Sequence, residues 1–312
     1  MDNQNKWEKE VVTALLSEQR KSRISGWFFK TFIILYILIS TAVTFRAINS
    51  FSEPDTNDGV KHTAIIELSG VILDKLPSSA DNIISALRRA MYDSDTAGII
   101  IRCNSPGGSP VQSDYIYREI RRLRSSNPGI PIHTVVTDVC ASGGYYVASA
   151  TDKIFVNPSS IVGSIGVINE GFGYTKLMNK LGVERRILTS GKNKSLGDPF
   201  SPMSKESIQH TKRIMSSIHR EFINSVVIGR GQRLKLDNEN LFTGLYWTGR
   251  KSIKLGLADQ IGDIYTISEN VIGVTNIVDF TTRETTANKF LRKFSTELKV
   301  MLRSLNSYTI SL

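Results

Sequence analysis

Short apolar runs alternate with helical patterns from residue 62 onward, and this alternation leaves few folds open to the chain. The runs HTAIIEL, TAGIIIRCN and IHTVVTD are rich in β-branched residues, and the helical patterns SADNIISALRRAMYD and SDYIYREIRRLRSS lie between them. Strands separated by helices of about 10 to 15 residues form βαβ units, in which helices cover a parallel sheet. The sequence therefore predicts an α/β fold with a largely parallel sheet.

The alternation continues beyond the third apolar run. GYYVASA predicts a helix, the segments KIFVNP, IVGSIGVI and RRILTSG predict further strands, and TKLMNKLG predicts a helix between the last two. A long helix is predicted from about residue 203 to 229. Ser204 is a suitable N-cap for it, and the acidic Glu206 in its first turn interacts favourably with the helix dipole.

A nearly continuous apolar run, TFIILYILISTAVTFRAIN, occupies residues 31–49. At ~1.5 Å per residue, a helix of this length approaches the roughly 20 residues needed to cross a bilayer. The flanking residues are basic before the run and acidic after it: Arg20, Lys21, Arg23 and Lys30, then Glu53, Asp55 and Asp58. This asymmetry predicts one transmembrane helix over residues 27–49 with a cytoplasmic N-terminus. A buried core helix is the alternative; a cleaved signal peptide is disfavoured, because polar residues precede the run.

The anchor divides the chain into five predicted parts. They are a cytoplasmic segment (1–26), the anchor (27–49), a linker rich in turn formers (50–60), a folded domain (61–275) and a basic amphipathic segment (276–312). Apolar residues of the last part fall on one helical stripe. A helix of this kind can lie on an anionic bilayer, pack against a partner subunit or dock on its own domain.

The formal net charge is +10, and the chain contains two cysteines. Positive charge suits nucleic acid or an anionic membrane surface, but no zinc-finger spacing, aromatic RNA-binding motif or long basic arm occurs, so no nucleic-acid partner is expected. Cys103 and Cys140 lack the spacing of metal ligands. The simplest interpretation is two small buried residues at strand ends. No metal site is predicted.

The first of two glycine motifs, RCNSPGGS at residues 102–109, follows a predicted strand. Adjacent glycines let the backbone turn sharply and leave amide groups uncovered, as an oxyanion hole requires, which makes Gly108 and Gly107 candidate donors. A simple Pro-Gly-Gly turn would have the same residues.

The second motif, CASGGYY at residues 140–146, lies between a predicted strand and a predicted helix. A serine at such a junction has its hydroxyl near a helix N-terminus, where the amide of Gly143 can donate to a developing negative charge. Ser142 is therefore a candidate nucleophile. It is equally suited to be an ordinary helix cap.

A serine nucleophile needs a general base, and two lysines are the candidates. The G-x-S-x-G elbow is absent, and no histidine lies in a triad pattern: the four are His62, His133, His210 and His219. Lys192 and Lys194 lie in the loop SGKNKSLGDPF. Full burial lowers the pKa of a lysine amine enough to make it a base at neutral pH. Ser164 could orient the amine, or could be a simple turn residue.

Together these motifs resemble those of the signal peptide peptidase A family, also called protease IV, in its short, single-repeat, N-terminally anchored form. The resemblance covers about residues 60–275 and rests on six ordered segments: RCNSPGG, ASGGYY, VGSIGV, YTKLMNKLG, the KS..DPF lysine loop and GLYWTGRKSIKLGLADQIGD. It implies a Clp protease and crotonase kind of fold, with layered parallel sheets and flanking helices. It also implies a serine and lysine dyad and a homo-oligomer.

The resemblance assigns a role to each candidate residue. The implied set is nucleophile Ser142, general base Lys194, lysine-orienting Ser164 and oxyanion donors Gly108 and Gly143. Lys194 is preferred to Lys192, because the family has a lysine and a serine before an acidic-Pro-Phe group at that position.

The expected activity is hydrolysis of hydrophobic peptides near the membrane, chiefly residual signal peptides, and it needs no cofactor. The expected location is the bacterial inner membrane, with the peptidase domain outside the cytoplasm. Two alternatives remain open. One is a crotonase-like enzyme that processes acyl-CoA and would need a carboxylate base; the other is a non-catalytic, membrane-anchored scaffold.

Overall fold

The computed structural model describes residues 27, 30–43 and 59–282. The chain divides into two compact units, one of residues 55–283 and one of residues 1–54 with 284–312. Residues 30–43 are helical and are called α1. Among the described residues, no helix combines the length and the apolar character that crossing a bilayer requires.

Several predicted parts fall outside the described residues. Segment 1–26 lies entirely outside them, and segments 50–60 and 276–312 lie mostly outside. The predicted anchor 27–49 is described only in part. These boundaries therefore stay predictions.

Three long parallel strands form the centre of the sheet and confirm the predicted α/β class. They alternate with two helices in the order β1 (His62–Ile72), α2 (Ala80–Tyr92), β2 (Thr96–Gly108), α3 (Pro110–Ser126) and β3 (Ile132–Ala141). In the register of the sheet, Ile66 lies beside Ile101, and Ile101 lies beside Thr134. Both connections are βαβ units, as the alternation of apolar runs and helical patterns predicts.

The remaining elements are shorter. They are α4 (Gly143–Ala148), β4 (Ile154–Val156), β5 (Ile161–Gly163), α5 (Thr175–Leu181), α6 (Lys205–Arg230), a 3-10 turn (Gly231–Arg233), β6 (Tyr246–Thr248), α7 (Gly249–Lys254), β7 (Gln260–Ile261), α8 (Ile264–Ile267), a π-helical turn (Ser268–Ile272) and β8 (Ile277–Asp279). In the described residues, eight strands form one sheet with the order β6-β5-β3-β2-β1-β8; β4 pairs with β3 and β7. All pairs are parallel except β5 with β6.

The main hydrophobic core lies on the face of the sheet that α2, α3 and α4 cover. Ile66, Leu87, Ile101, Ile120 and Tyr145 are fully buried there. A smaller cluster covers the other face and consists of Ile65, Ile100, Val135, Phe155 and Ile267. Successive residues of a strand point to opposite faces, so both clusters draw on the same three strands.

The long helix α6 begins and ends close to the predicted boundaries. Ser204 is its N-cap, and the Ser204 hydroxyl accepts a hydrogen bond from the amide of Ser207 at 3.0 Å. Only the second half of α6 reaches the core, through buried residues such as Phe222 and Val226. The first half is largely exposed.

The predicted strand RRILTSG (residues 185–191) is wrong, because the structure has no strand there. Leu188 is fully exposed, and the segment pairs with no other strand of the described chain. A β-strand is stabilised by a neighbour and a buried face, and this segment has neither. Its apolar residues satisfy the local pattern without the tertiary contacts that a strand needs.

Residues 168–203 form a projecting arm with few buried side chains. Helix α5 buries none of its residues, and Phe172 is 80% exposed. Within the arm, the ring of Tyr174 stacks on that of Phe200, and Arg185 lies over the same Phe200 ring. The arm is thus organised internally while its apolar surface faces outward.

A buried carboxylate joins α2 to α3. Glu119 on α3 accepts hydrogen bonds from Arg122 of the same helix at 2.7 and 2.9 Å and from Arg88 of α2 at 2.7 Å. The hydrogen bonds from Arg122 lower the pKa of Glu119 most, burial opposes them, and Arg88 lowers it further, to about 2.

This lowered pKa makes the stability of the fold sensitive to acid. The contribution is complete above the unfolded pKa of about 4.3 and is lost as the pH falls through about 2. For the wild type we expect the free energy of unfolding to fall by up to about 3 kcal/mol more than for Glu119→Gln over this range. Urea unfolding between pH 5 and pH 2 measures the difference. Equal pH slopes in the two proteins would contradict it.

Candidate active site

The carboxyl ends of β3 and β5 bring two of the predicted site residues together. Ala141 lies beside Gly163 in the parallel register, so Ser142 and Ser164 follow at neighbouring strand ends. The amide of Ser142 donates to the carbonyl of Gly163 at 2.9 Å. Adjacent strands lie about 4.8 Å apart, which places both serines at one edge of the sheet.

Ser142 has a backbone conformation that residues other than glycine rarely adopt. Its φ is 50° and its ψ is −123°, at the junction between β3 and α4. In the described chain, only Lys75, Ser142 and Ser164 are non-glycine residues with positive φ. Strained residues of this kind cluster at active sites, where the surrounding structure holds them in place. Two of the three belong to the predicted site.

The structure also bears on whether Ser142 is merely a helix cap. Ser142 occupies the N-cap position of α4, but its side chain accepts no capping hydrogen bond. The N-cap serines of α3 and α6, Ser109 and Ser204, both accept one, whereas Ser79 of α2 does not. The half-buried Ser142 hydroxyl is therefore not engaged as a cap and is available for chemistry.

The glycine loop at the end of β2 packs directly against Ser142 and the start of α4. Gly107 has a φ of 101°, and a Cβ atom there would lie 2.6 Å from the amide nitrogen of Gly143 and 2.8 Å from the Cβ of Ser142. A Cβ on Gly143 would lie 3.2 Å from the amide nitrogen of Gly108. The backbones of the two predicted oxyanion donors, Gly108 and Gly143, are thus neighbours beside the serine, and only glycines permit this approach.

Ser105, which the sequence did not single out, holds the glycine loop in place. Its hydroxyl donates to the carbonyl of Gly70 at 2.6 Å and accepts from the amide of Gly107 at 3.1 Å. This contact anchors the loop to β1 and leaves Ser105 fully buried. A serine two residues before a glycine is a recognisable turn signal, so the motif contained the clue.

The two candidate lysines differ in their partners. The Nζ of Lys192 lies 3.8 Å from a carboxylate oxygen of Glu206. The side chain of Lys194 is exposed and forms no hydrogen bond or ion pair with any described residue. The structure therefore groups Ser142, Ser164 and the two donors, and it does not bring Lys194 into contact with them.

None of the histidines forms a hydrogen bond with Ser142 in the described part of the chain. His219 on α6 bonds the carbonyl of Ile165 at 3.1 Å, and His62 bonds Thr96 at 3.2 Å. His133 is buried against Phe155, and this burial lowers its pKa. His210 is exposed. A histidine base is not supported by these contacts.

The tyrosines of the CASGGYY motif anchor α4 in the core. The Tyr145 hydroxyl donates to the carbonyl of Leu257 at 2.8 Å, and the Tyr146 hydroxyl donates to Asp114 at 3.0 Å. Burial raises the pKa of Tyr146 to about 12 and raises that of Tyr145 as well. Both hydroxyls therefore stay protonated and hold the short helix that follows Ser142.

Cys103 and Cys140 are buried, as predicted, but they are also bonded to each other, and this pairing was not predicted from the sequence. Their Cα atoms lie 5.7 Å apart, and both side chains are fully buried. Sequence separation conceals this pairing, because the two positions are 37 residues apart along the chain. The parallel pairing of β2 with β3 brings them together.

The structure also has a cavity that is separate from the serine site. This cavity of about 740 Å³ lies beside Val135–Val139, Asn157, residues 159–161 and residues 261–265, and Ser142 does not line it. Among the described residues, no group of three or more histidine, cysteine or acidic side chains could hold a metal ion.

Comparison with known proteins adds independent information. Residues 124–294, more than half of the chain, match the family described as "Peptidase family S49". A protein of Enterococcus faecium named "Putative signal peptide peptidase SppA" is 32% identical over 228 residues, which cover 70% of this chain and 65% of that protein. "Protease 4" of Haemophilus influenzae is 29% identical over 203 residues, or 64% of this chain and 32% of that protein.

A third relative has a different name. A Brucella melitensis protein named "Na(+)/H(+) antiporter NhaA" is 45% identical over 187 residues, or 60% of this chain. The match spans only 25% of that protein. The shared region is therefore a quarter of the Brucella protein, whereas the name is given to that whole protein.

Proposed function

This chain belongs to peptidase family S49, the signal peptide peptidase A family, and from this we propose that it is a serine peptidase with Ser142 as nucleophile and Lys194 as general base. One observation supports the nucleophile above all others. Ser142 has a strained backbone and no capping hydrogen bond, and it lies beside the neighbouring backbones of Gly108 and Gly143. A helix cap needs none of these features, whereas a nucleophile needs a free hydroxyl beside oxyanion donors.

In the proposed mechanism the Ser142 hydroxyl attacks the carbonyl carbon of the scissile peptide bond. Neutral Lys194 takes the hydroxyl proton and then gives it to the leaving amine, and water hydrolyses the acyl-enzyme. The amides of Gly108 and Gly143 donate to the oxyanion of each tetrahedral intermediate. Gly143 is the first residue of α4, where backbone amides have no partner within the helix. Ser164 orients the lysine amine.

A lysine base must be shielded from water, and within one chain Lys194 is exposed. Lys194 belongs to the projecting arm, whose apolar side chains include Ile168 at 81% exposure and Phe172 at 80%. Exposed apolar surface of this kind is typical of a surface that another protein covers. We therefore propose a homo-oligomer, in which a neighbouring copy covers the arm and completes the shielding of the base.

The proposed substrates are extended hydrophobic peptides near a membrane, chiefly residual signal peptides. The proposed location is the bacterial inner membrane, with residues 27–49 as the anchor and the peptidase domain outside the cytoplasm. The bond between Cys103 and Cys140 supports this side of the membrane, because structural disulfides persist mainly in oxidising compartments. The mostly parallel sheet is compatible with a Clp protease and crotonase kind of fold, which is also part of the proposal.

The two alternatives receive less support from the site. A crotonase-like enzyme would need a free carboxylate in the cleft. Asp114 follows Ser113, whose hydroxyl lies next to Gly143. The Asp114 carboxylate is not free, because it accepts a hydrogen bond from Tyr146 and forms an ion pair with Arg118. A scaffold without activity would have no use for a strained serine beside two glycine amides. Neither alternative explains the conformation of Ser142.

Covalent labelling distinguishes a serine peptidase from a crotonase-like enzyme and from a scaffold without activity. A fluorophosphonate is expected to attach to Ser142 of the full-length chain in detergent micelles, with the modified peptide identified by mass spectrometry. The same protein is expected to cleave an internally quenched peptide of leucine and alanine residues, and labelling should abolish the cleavage. Absence of both labelling and cleavage, or a label on another residue, would reject the proposed nucleophile.

A further inference from the structure

The ladder between β2 and β3 is irregular just before the strands reach the proposed site. Cys103 pairs with Val136, but the next pair joins Ser105 to Cys140, so the β3 side has two extra residues. Apart from the hydrogen bond that the Asn104 amide donates to the exposed Asp138 carboxylate at 3.0 Å, the polar contacts across this irregularity are long. The Thr137 hydroxyl lies 3.3 Å from the carbonyl of Cys103, and the amide of Val139 lies 3.4 Å from the side chain of Asn104. Hydrogen bonds near 3.5 Å are weak restraints.

The Cys103–Cys140 bond spans this irregularity. On the β2 side the chain runs five residues from Cys103 to Gly108, and on the β3 side two residues from Cys140 to Ser142. The bond is fully buried between the two strands. The bond therefore links β2 and β3 covalently close to the place where Gly108, at the end of β2, lies beside Ser142, which follows β3.

We propose that the Cys103–Cys140 bond is a positioning clamp for the peptidase site. It holds the Gly107–Gly108 turn against Ser142 and Gly143, so the form with the bond intact is the fully active one. This inference rests on the proposed function. Oxyanion stabilisation depends on donors held within a fraction of an ångström, and a misplacement of about 1 Å can cost 10²-fold in rate. A bulged ladder without the bond would let the two strand ends shift independently.

Reduction of the bond tests the clamp without substituting any residue. A trialkylphosphine breaks the S–S bond by transferring two electrons; the sulfurs take up two protons as thiols, and the phosphine gains an oxygen atom from water. Because the bond is buried, reduction is carried out in mild denaturant that is then removed. Mass spectrometry after maleimide treatment, with and without reduction, verifies the state of both cysteines.

Peptide cleavage is the first measurement, on the full-length chain in micelles. In the reduced wild type and in C103A/C140A we expect kcat to be about 10-fold lower, with KM within about 2-fold of the oxidised protein. Reductant should leave the kcat of C103A/C140A unchanged. V136A is the matched control, because it removes buried volume beside Cys103 while keeping the bond, and its kcat should stay within about 3-fold of wild type.

Hydrogen exchange is the second measurement, and it does not depend on activity. Loss of the bond is expected to speed exchange in peptides covering residues 103–109 and 139–146, while peptides from α2 exchange as before. Unchanged exchange in both segments, or an unchanged kcat after reduction, would overturn the clamp. So would free thiols in wild type isolated without reductant. If loss of the bond speeds hydrogen exchange but the protein neither cleaves the peptide nor reacts with the fluorophosphonate, the positioning role of the bond is retained and the proposed peptidase activity is rejected.

Discussion

Replacing Ser142 by alanine is expected to lower the rate of peptide hydrolysis by at least about 10⁴-fold. The variant lacks the hydroxyl that forms the acyl-enzyme, so the reaction loses its covalent route. The amides of Gly108 and Gly143 remain beside the empty position, so KM for the quenched leucine and alanine peptide should change little. Initial rates over a range of peptide concentrations separate the two constants.

The loss in S142A should occur without unfolding. The Ser142 side chain makes no capping hydrogen bond, so the free energy of unfolding in urea is expected to stay within about 1 kcal/mol of wild type. S149A is the matched control at the other end of α4, where the buried hydroxyl donates to the carbonyl of Tyr146 at 2.7 Å. S149A should lose about 1 kcal/mol of stability and keep its activity. An active S142A would reject Ser142 as nucleophile.

Lys194→Ala is expected to lower kcat by about 10² to 10⁴-fold at neutral pH, the range typical of losing a general base. Lys192→Ala is the matched control in the same loop, because Lys192 is also exposed but pairs with Glu206. Its activity should stay within about 2-fold of wild type. A large loss in K192A with full activity in K194A would reverse the assignment of the base and leave Ser142 in place.

Mixed oligomers extend this prediction to the role of the neighbouring copy. Lys194 is exposed and makes no polar contact with the described residues of its own chain, so we expect it to serve a site that a second copy completes. Unfolding S142A and K194A together and refolding the mixture should then give more activity than either variant has alone. No recovery in verified mixed oligomers would place serine and lysine in the same chain.

The parts of the site that the sequence anticipated are those governed by local backbone chemistry. The strand before Ser142, the helix after it and the sharp turn at Gly107 follow from short-range patterns, and the structure has all three. Ser105 was missed although it lies inside a motif. Its importance comes from a hydrogen bond to Gly70, a residue that is distant along the chain.

The predicted strand at residues 185–191 shows where local patterns stop being informative. Its β-branched residues Ile187 and Thr189 are compatible with a strand, but strand formation depends on a paired neighbour and a buried face. No described strand lies beside it, and Leu188 is fully exposed. A pattern can indicate which conformation a segment tolerates, while the contacts available to the segment decide which one it adopts.

By itself, then, the sequence determined the α/β class, the order of strands and helices from β1 to α5, the family and the identity of the candidate residues, because periodicity and motif spacing are properties of neighbouring residues. Only the tertiary structure decided which strand ends meet, that Ser142 is strained and not engaged as a cap, that Cys103 and Cys140 are bonded, and that Lys194 is exposed within its own chain. These properties depend on the packing of segments that are far apart along the chain, and no local pattern encodes such contacts.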